Sequence, residues 1–310
     1  METGPLDDGE AAEPANAVTL RGLTYATGGR TVLDDLSMSV PVGSRYALTG
    51  GNGAGKSVLL RLIAGRSRPD SGTVEIFDLA PGPDSAAETG IAPPLDLTGT
   101  GRDALTRIDG TDGTDGTDGT DGTDGTARRV AHALDRTGLA ERADLPVDAY
   151  TSGDRRRLEI AAALVTPRAL VLLDDPFDGL DTVGVADVTR LCGELSDDGV
   201  TVVLASRPHP ALDGLATHAG LLSGGRLAAE GPAEEVRAAV PARVVVRTRD
   251  AIIALGVLRG LGLTDLTTHR DHLAATLAAD VTIDRVTRAL VHGGVRVTSV
   301  TAAPPPYAGA

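Results

Sequence analysis

Apolar positions fall along this chain in two rhythms. From Ala17 to Tyr25, Thr31 to Val40 and Arg45 to Thr49 they form short runs punctuated by turns such as Gly28-Gly29, which predicts three strands. Ser57 to Gly65 (SVLLRLIAG) instead spaces its leucines for one buried helical face. Ala169 to Asp175 (ALVLLDD) and Thr201 to Ser206 (TVVLAS) are strand-length apolar runs, and the first ends in two carboxylates. Runs of this kind fit central parallel strands covered on both faces. Helical patterns at Ala127 to Thr137, Ser152 to Val165 and Val183 to Leu195 alternate with these strands. The alternation predicts an α/β fold with a mainly parallel central sheet. From about Ala242 the segments RVVVR, two amphipathic helices and VRVTSV predict a small C-terminal α/β appendage.

Between these elements the chain changes character. Residues 1–16 form an acidic, Pro/Ala-rich leader, residues 304–310 a proline-rich tail, and Pro81 to Gly101 a Pro/Gly-rich loop. Asp109 to Thr126 is a tandem run of Asp-Gly-Thr triplets. It has no apolar side chain to bury, so a disordered linker is expected. Its regular aspartates suggest calcium, but such loops also need a long bidentate carboxylate, which the repeat lacks. The predicted division is a leader at 1–16, a principal domain at 17–240, a C-terminal domain at 241–303 and a tail at 304–310.

Composition narrows the class. With 310 residues, 41% apolar and 23% charged, the chain can bury a core without staples. Only 2% is aromatic, so that core must be aliphatic. A net charge of −14 without a basic stripe argues against nucleic acid as a partner. One cysteine, Cys192, forms no internal disulfide and reads as a small buried apolar residue. No signal-like leader and no run of about eighteen apolar residues is present, which predicts a cytoplasmic chain that does not cross a membrane. Of the 29 basic residues, Lys56 alone is lysine. A lysine left standing under such an arginine bias marks a position that needs an ammonium.

That lysine lies in Gly50-Gly51-Asn52-Gly53-Ala54-Gly55-Lys56-Ser57, which satisfies G-x-x-x-x-G-K-[ST] between a predicted strand and a predicted helix. Glycines let backbone N–H groups turn inward around phosphate oxygens. The helix N-terminus adds a positive dipole end. Lys56 is placed to reach the β- and γ-phosphates, and the Ser57 hydroxyl to ligate Mg²⁺. The segment predicts a nucleoside triphosphate site, and Asp174, at a strand tip, predicts a second oxygen ligand for Mg²⁺.

Further motifs lie in register with this loop. Leu172 to Asp181 (LLDDPFDGLD) resembles the LLDEP-x-x-GLD pattern of ATP-binding cassette (ABC) ATPases. Tyr150 to Asp154 (YTSGD) followed by RRRLEIAAAL resembles a degraded LSGGQ signature and its helix, and SGGRLAAEGPAEEV resembles the closing strand and helix. The resemblance covers about Val18 to Val240; the C-terminal piece resembles the extra domain of drug-exporter ATPases of the doxorubicin-resistance type. It implies a P-loop NTPase core with an antiparallel β subdomain and a helical subdomain. It also implies that Tyr25 stacks on adenine, that Gly50 to Val58 cradle the phosphates, and that Thr151, Ser152, Gly153 and Asp181 meet nucleotide across a pair of cassettes. The cofactors implied are ATP and Mg²⁺. The partners are a second cassette and a membrane-spanning permease on a separate chain, which would hold this subunit at the inner face of the membrane.

Several departures touch hydrolysis. Asp175 stands where the resemblance puts a catalytic glutamate, Arg207 where it puts a histidine, and Pro94 where it puts a glutamine; the chain has no glutamine at all. Thr151 and Ser152 replace the signature serine and first glycine, and Val58 replaces a hydroxyl residue beside the α-phosphate. A base at Asp175 sits roughly 1 Å further from the attacking water, a shift that costs about 100-fold in rate. Arg207 can contact a γ-phosphate but cannot shuttle a proton. With Asp175, Lys56 and Arg207 as the catalytic candidates, the expectation is an exporter ATPase subunit of weak activity. The alternative is a non-hydrolysing cassette that uses ATP only to dimerise.

Overall fold

The structure, a computed structural model, describes residues 15–80, 89–91, 98–111, 123–239, 243–269, 272–277 and 281–303. Its largest sheet has six strands in the order β5-β6-β7-β3-β8-β9. These are β3 (Arg45–Gly50), β5 (Thr89–Ile91), β6 (Leu170–Asp174), β7 (Thr201–Ser206), β8 (His218–Ser223) and β9 (Arg226–Pro232), and only β9 runs antiparallel to its neighbour. A second, antiparallel sheet orders β2 (Arg30–Pro41), β1 (Asn16–Thr27) and β4 (Ser71–Ile76) as β2-β1-β4.

Residue alternation explains why the central strands read as continuous apolar runs. Leu170 and Leu172 of β6, Val203 and Ala205 of β7 and Leu48 of β3 join a core shared with the antiparallel sheet and helix α1 (Lys56–Ile63). Their neighbours Val171, Leu173, Val202, Leu204 and Ala47 join a second core, under α5 (Thr182–Asp197). Side chains on successive positions of a strand point to opposite faces, so a strand covered twice needs both parities apolar. Cys192 of α5 is fully buried, and burial pushes its thiol up to about 12, which leaves no reactive thiolate at neutral pH.

A third core joins α2 (Gly101–Thr111), α3 (Thr123–Arg136) and α4 (Ser152–Leu164) through Leu105, Val130, Leu134 and Leu158. Here the repeat departs from expectation, because α2 and α3 run into its two ends, at residues 109–111 and 123–126. Helices anchored by packed apolar turns propagate cheaply into flanking residues. The middle of the repeat and Pro94 lie outside the described residues.

The C-terminal unit also differs from the predicted strand–two-helix–strand pattern. Between α6 (Ala251–Gly260) and α7 (Ile283–His292) it inserts β11 (Thr264–Thr268) and β12 (Leu273–Thr276). With β10 (Arg243–Thr248) and β13 (Val297–Ala303) these form an antiparallel sheet ordered β11-β12-β10-β13, a split β-α-β arrangement. The two strands escape pattern reading because β12 (LAAT) is buried at every position and β11 (TDLTT) has one apolar residue. On β10, Arg243 is buried, donates from Nη2 to the Asp265 carbonyl and the Thr267 hydroxyl, and leaves Nε without a partner. Burial is the main cause that lowers its pKa. A buried charge held this incompletely costs stability. Arg243→Met is therefore expected to leave the melting temperature unchanged or to raise it; a loss beyond about 2 kcal/mol in denaturant unfolding would contradict this reading.

Candidate nucleotide site

Strand register places the site. Because β6, β7 and β3 are parallel neighbours, their carboxyl ends share one edge. Asp174 is level with Ala205, and Ser206 with Thr49, immediately before the loop Gly50 to Ser57. Ligands of open α/β sheets bind at this edge. It gathers the glycine loop after β3, the acids Asp174 and Asp175 at the tip of β6, and Arg207 after β7.

The loop turns into α1 through Gly55, whose φ of 107° is left-handed; a Cβ there would come within 2.8 Å of Leu33 Cδ2. Only glycine meets both demands. At Gly50 the obstacle is the Leu222 carbonyl, 2.5 Å from where a Cβ would lie. Lys56 opens α1 and is almost wholly buried, with Nζ donating to the carbonyls of Gly50 (2.8 Å) and Gly51 (2.9 Å). Burial lowers its pKa, against the opposing pull of Asp175 and Asp174, and Arg207 lowers it further. Lysine, both acids and arginine thus share one electrostatic neighbourhood. Asn52, Gly53 and Ser57 are exposed, Gly51, Ala54 and Val58 half-buried. Tyr25 is half-buried at the edge of the first core and pairs across strands with Leu33, the residue that crowds Gly55. That puts an aromatic ring on the side of the loop formed by the antiparallel sheet.

At the acidic tip, Asp174 is exposed, and no side-chain bond engages its carboxylate among the described residues. Asp175 has a left-handed backbone (φ 44°), its N–H donates to the Ala205 carbonyl, and its Oδ1 accepts from the Arg207 backbone N–H at 3.3 Å. The Arg207 side chain turns to Asp178, with Nη2 at 3.2 Å from Oδ1. His209 stacks on Phe177 with ring centroids 4.8 Å apart.

Thr151, Ser152 and Gly153 lie at the start of α4. Thr151 caps it in a reciprocal box with Asp154: Thr151 Oγ1 accepts from the Asp154 N–H, and Asp154 Oδ2 accepts from the Thr151 N–H. Asp154 also pairs with Arg142 at 2.6 Å. No hydrogen bond joins Thr151–Gly153 to the Gly50–Val58 loop among the described residues; their near neighbours are Gly179 and Leu180. Asp181 caps α5, its Oδ1 accepting from the Gly184 N–H at 2.8 Å. Sequence reasoning missed two residues. Asp178 holds Arg207, and Arg156 of α4 reaches the Asp174 carbonyl with Nη1 at 3.4 Å. The signals were present as an extra acid inside LLDDPFDGLD and an Arg-Arg-Arg run after the signature.

A glycine loop on a parallel edge, beside an acidic strand tip and flanked by an antiparallel sheet, defines an ATP-binding cassette. The family model described as ABC transporter matches residues 33–178. The daunorubicin/doxorubicin resistance ATP-binding protein DrrA of Streptomyces peucetius is 31% identical over 280 residues, 87% of this chain and 82% of that protein. The Nod factor export ATP-binding protein I of Neorhizobium galegae is 29% identical, covering 75% of this chain and 67% of that protein. Among solved structures, cbiO1 of Clostridium perfringens aligns with a TM-score of 0.61 at 23% identity, over 80% of this chain and 96% of that one. A dimeric cassette in a post-hydrolysis state bound to ADP and Pi aligns with a TM-score of 0.61 at 20% identity, over 69% and 98%. This chain belongs to the ABC transporter ATP-binding proteins. No helix among the described residues is long and apolar enough to cross a membrane.

Proposed function

We propose that this subunit drives an exporter, binding Mg-ATP at the shared edge and hydrolysing it slowly while attached to a permease on a separate chain. The observation that carries the reading is the convergence of a buried Lys56 with Asp174, Asp175 and Arg207 around one glycine loop. The drug-resistance and Nod-factor proteins that match are named for resistance or export, which supports the direction of transport. In this reading Tyr25 stacks on adenine, and Gly50, Gly51, Asn52, Gly53, Ala54, Gly55, Lys56, Ser57 and Val58 cradle the phosphates. Thr151, Ser152 and Gly153 face the nucleotide of a second cassette.

The donor set fits magnesium. The Ser57 side chain and the Asp174 carboxylate are hard oxygen donors, exposed, with no side-chain hydrogen bond among the described residues. Magnesium takes one or two such ligands plus phosphates and water, and when bound would neutralise phosphate charge. Asp175, pinned by the Arg207 N–H, is the candidate base, one methylene short of a glutamate. Mixing purified protein with Mg-ATP tests the reading: slow phosphate release is expected, abolished by Asp175→Asn. Asparagine keeps the shape and tolerates the left-handed backbone, so only the charge is removed. Tight binding with no release would replace this reading with a cassette that uses ATP for dimerisation only.

A further inference from the structure

The ion pair between Arg207 and Asp178 ties two loops of the nucleotide edge together. Arg207 begins the loop after β7, and its backbone N–H already holds Asp175. Asp178 lies on the loop after β6, in a turn closed by its own N–H donating to the Asp175 carbonyl. Both side chains are more than half exposed, at 55% and 58%, so the pair is free to open. A guanidinium never loses its proton, so Arg207 always seeks an anion. At this edge the carboxylate its side chain pairs with is that of Asp178, with Asp174 and Asp175 in the same neighbourhood; in the nucleotide-site reading the terminal phosphate of a bound triphosphate is the competing anion.

We infer that Asp178 is the resting counter-ion of Arg207 and competes with the γ-phosphate for it, so that the pair sets the chain's discrimination between nucleoside triphosphate and diphosphate. This rests on the nucleotide-site reading above. A diphosphate leaves the pair closed and gains nothing from Arg207. A triphosphate gains a charge-assisted contact but first breaks the pair. Because solvent screens the pair, the penalty is small, about 2- to 5-fold in affinity. Asp178 is thus a positioning residue: it acts through Arg207 and does not touch the nucleotide.

A double-mutant cycle isolates the competition, since direct repulsion between Asp178 and phosphate persists without the arginine. Affinities for Mg-ADP and a magnesium-bound non-hydrolysable ATP analogue are measured in wild type, Asp178→Asn, Arg207→Ala and the double variant. Asp178→Asn should raise the ratio of triphosphate to diphosphate affinity by about 2- to 5-fold more with Arg207 present than without it. Arg207→Ala alone should lower that ratio. An equal or smaller gain with Arg207 present would overturn the inference, as would an unchanged ratio in Arg207→Ala. If wild type binds neither nucleotide, the nucleotide-site reading fails and takes the inference with it. Binding of both with no coupling removes the inference alone.

Discussion

Lys56→Arg should weaken Mg-ATP binding about 10-fold or more, although it keeps the positive charge. The chain's other 28 basic residues are all arginine, out of 29 in total, so the substitution follows its own compositional bias. The structure explains why this position resists it. Lys56 is 6% exposed, and its ammonium fits between the carbonyls of Gly50 and Gly51. A planar guanidinium is wider and offers its donors in a fixed fork. The loop around it has no slack, since Gly55 meets Leu33 and Gly50 meets the Leu222 carbonyl. Lys56→Ala, which removes the charge as well, should weaken binding by about 10- to 100-fold, the equivalent of about 1.5–3 kcal/mol for a hydrogen bond to a charged group. Fluorescent-nucleotide titration checks both, and wild-type affinity in the arginine variant would contradict the assignment.

Turnover should move the other way at the acidic tip. Asp175→Glu is expected to raise phosphate release by about 10- to 100-fold, because it restores reach toward a water on the γ-phosphate. The backbone resists part of this gain. Asp175 sits at φ 44°, a conformation aspartate visits more readily than glutamate, and the cost is about 1 kcal/mol of stability. A lower melting temperature with faster turnover is therefore the expected signature. Release no faster than wild type, measured where Asp175→Asn is inactive, would show that reach does not limit the rate.

Much of this site was legible in the residues themselves. The glycine loop, the acidic strand tip and the solitary lysine are local features, fixed by chain chemistry over a few positions. The alternation of strand and helix implied a parallel sheet, and the strand register of the structure then puts the carboxyl ends of β3, β6 and β7 at one edge. What stayed hidden depends on contacts distant in sequence. The pairing of Asp178 with Arg207 needs the two loops side by side, and the Arg156 contact needs α4 laid against β6. Likewise β11 and β12 carry no apolar rhythm and exist because β10 gives β12 a ladder to join and β12 in turn gives one to β11. Asp181 carries a task that its motif did not announce: one oxygen of its carboxylate caps a helix.

The proposed function requires the main-chain amides of Gly50 to Ser57 and one buried ammonium to take up a polyphosphate. Calorimetric titration of the full chain with Mg-ATP tests it most directly. Wild type should show saturable uptake that collapses in Lys56→Ala with the fold intact. No uptake by folded wild type, or undiminished uptake by the variant, would contradict it.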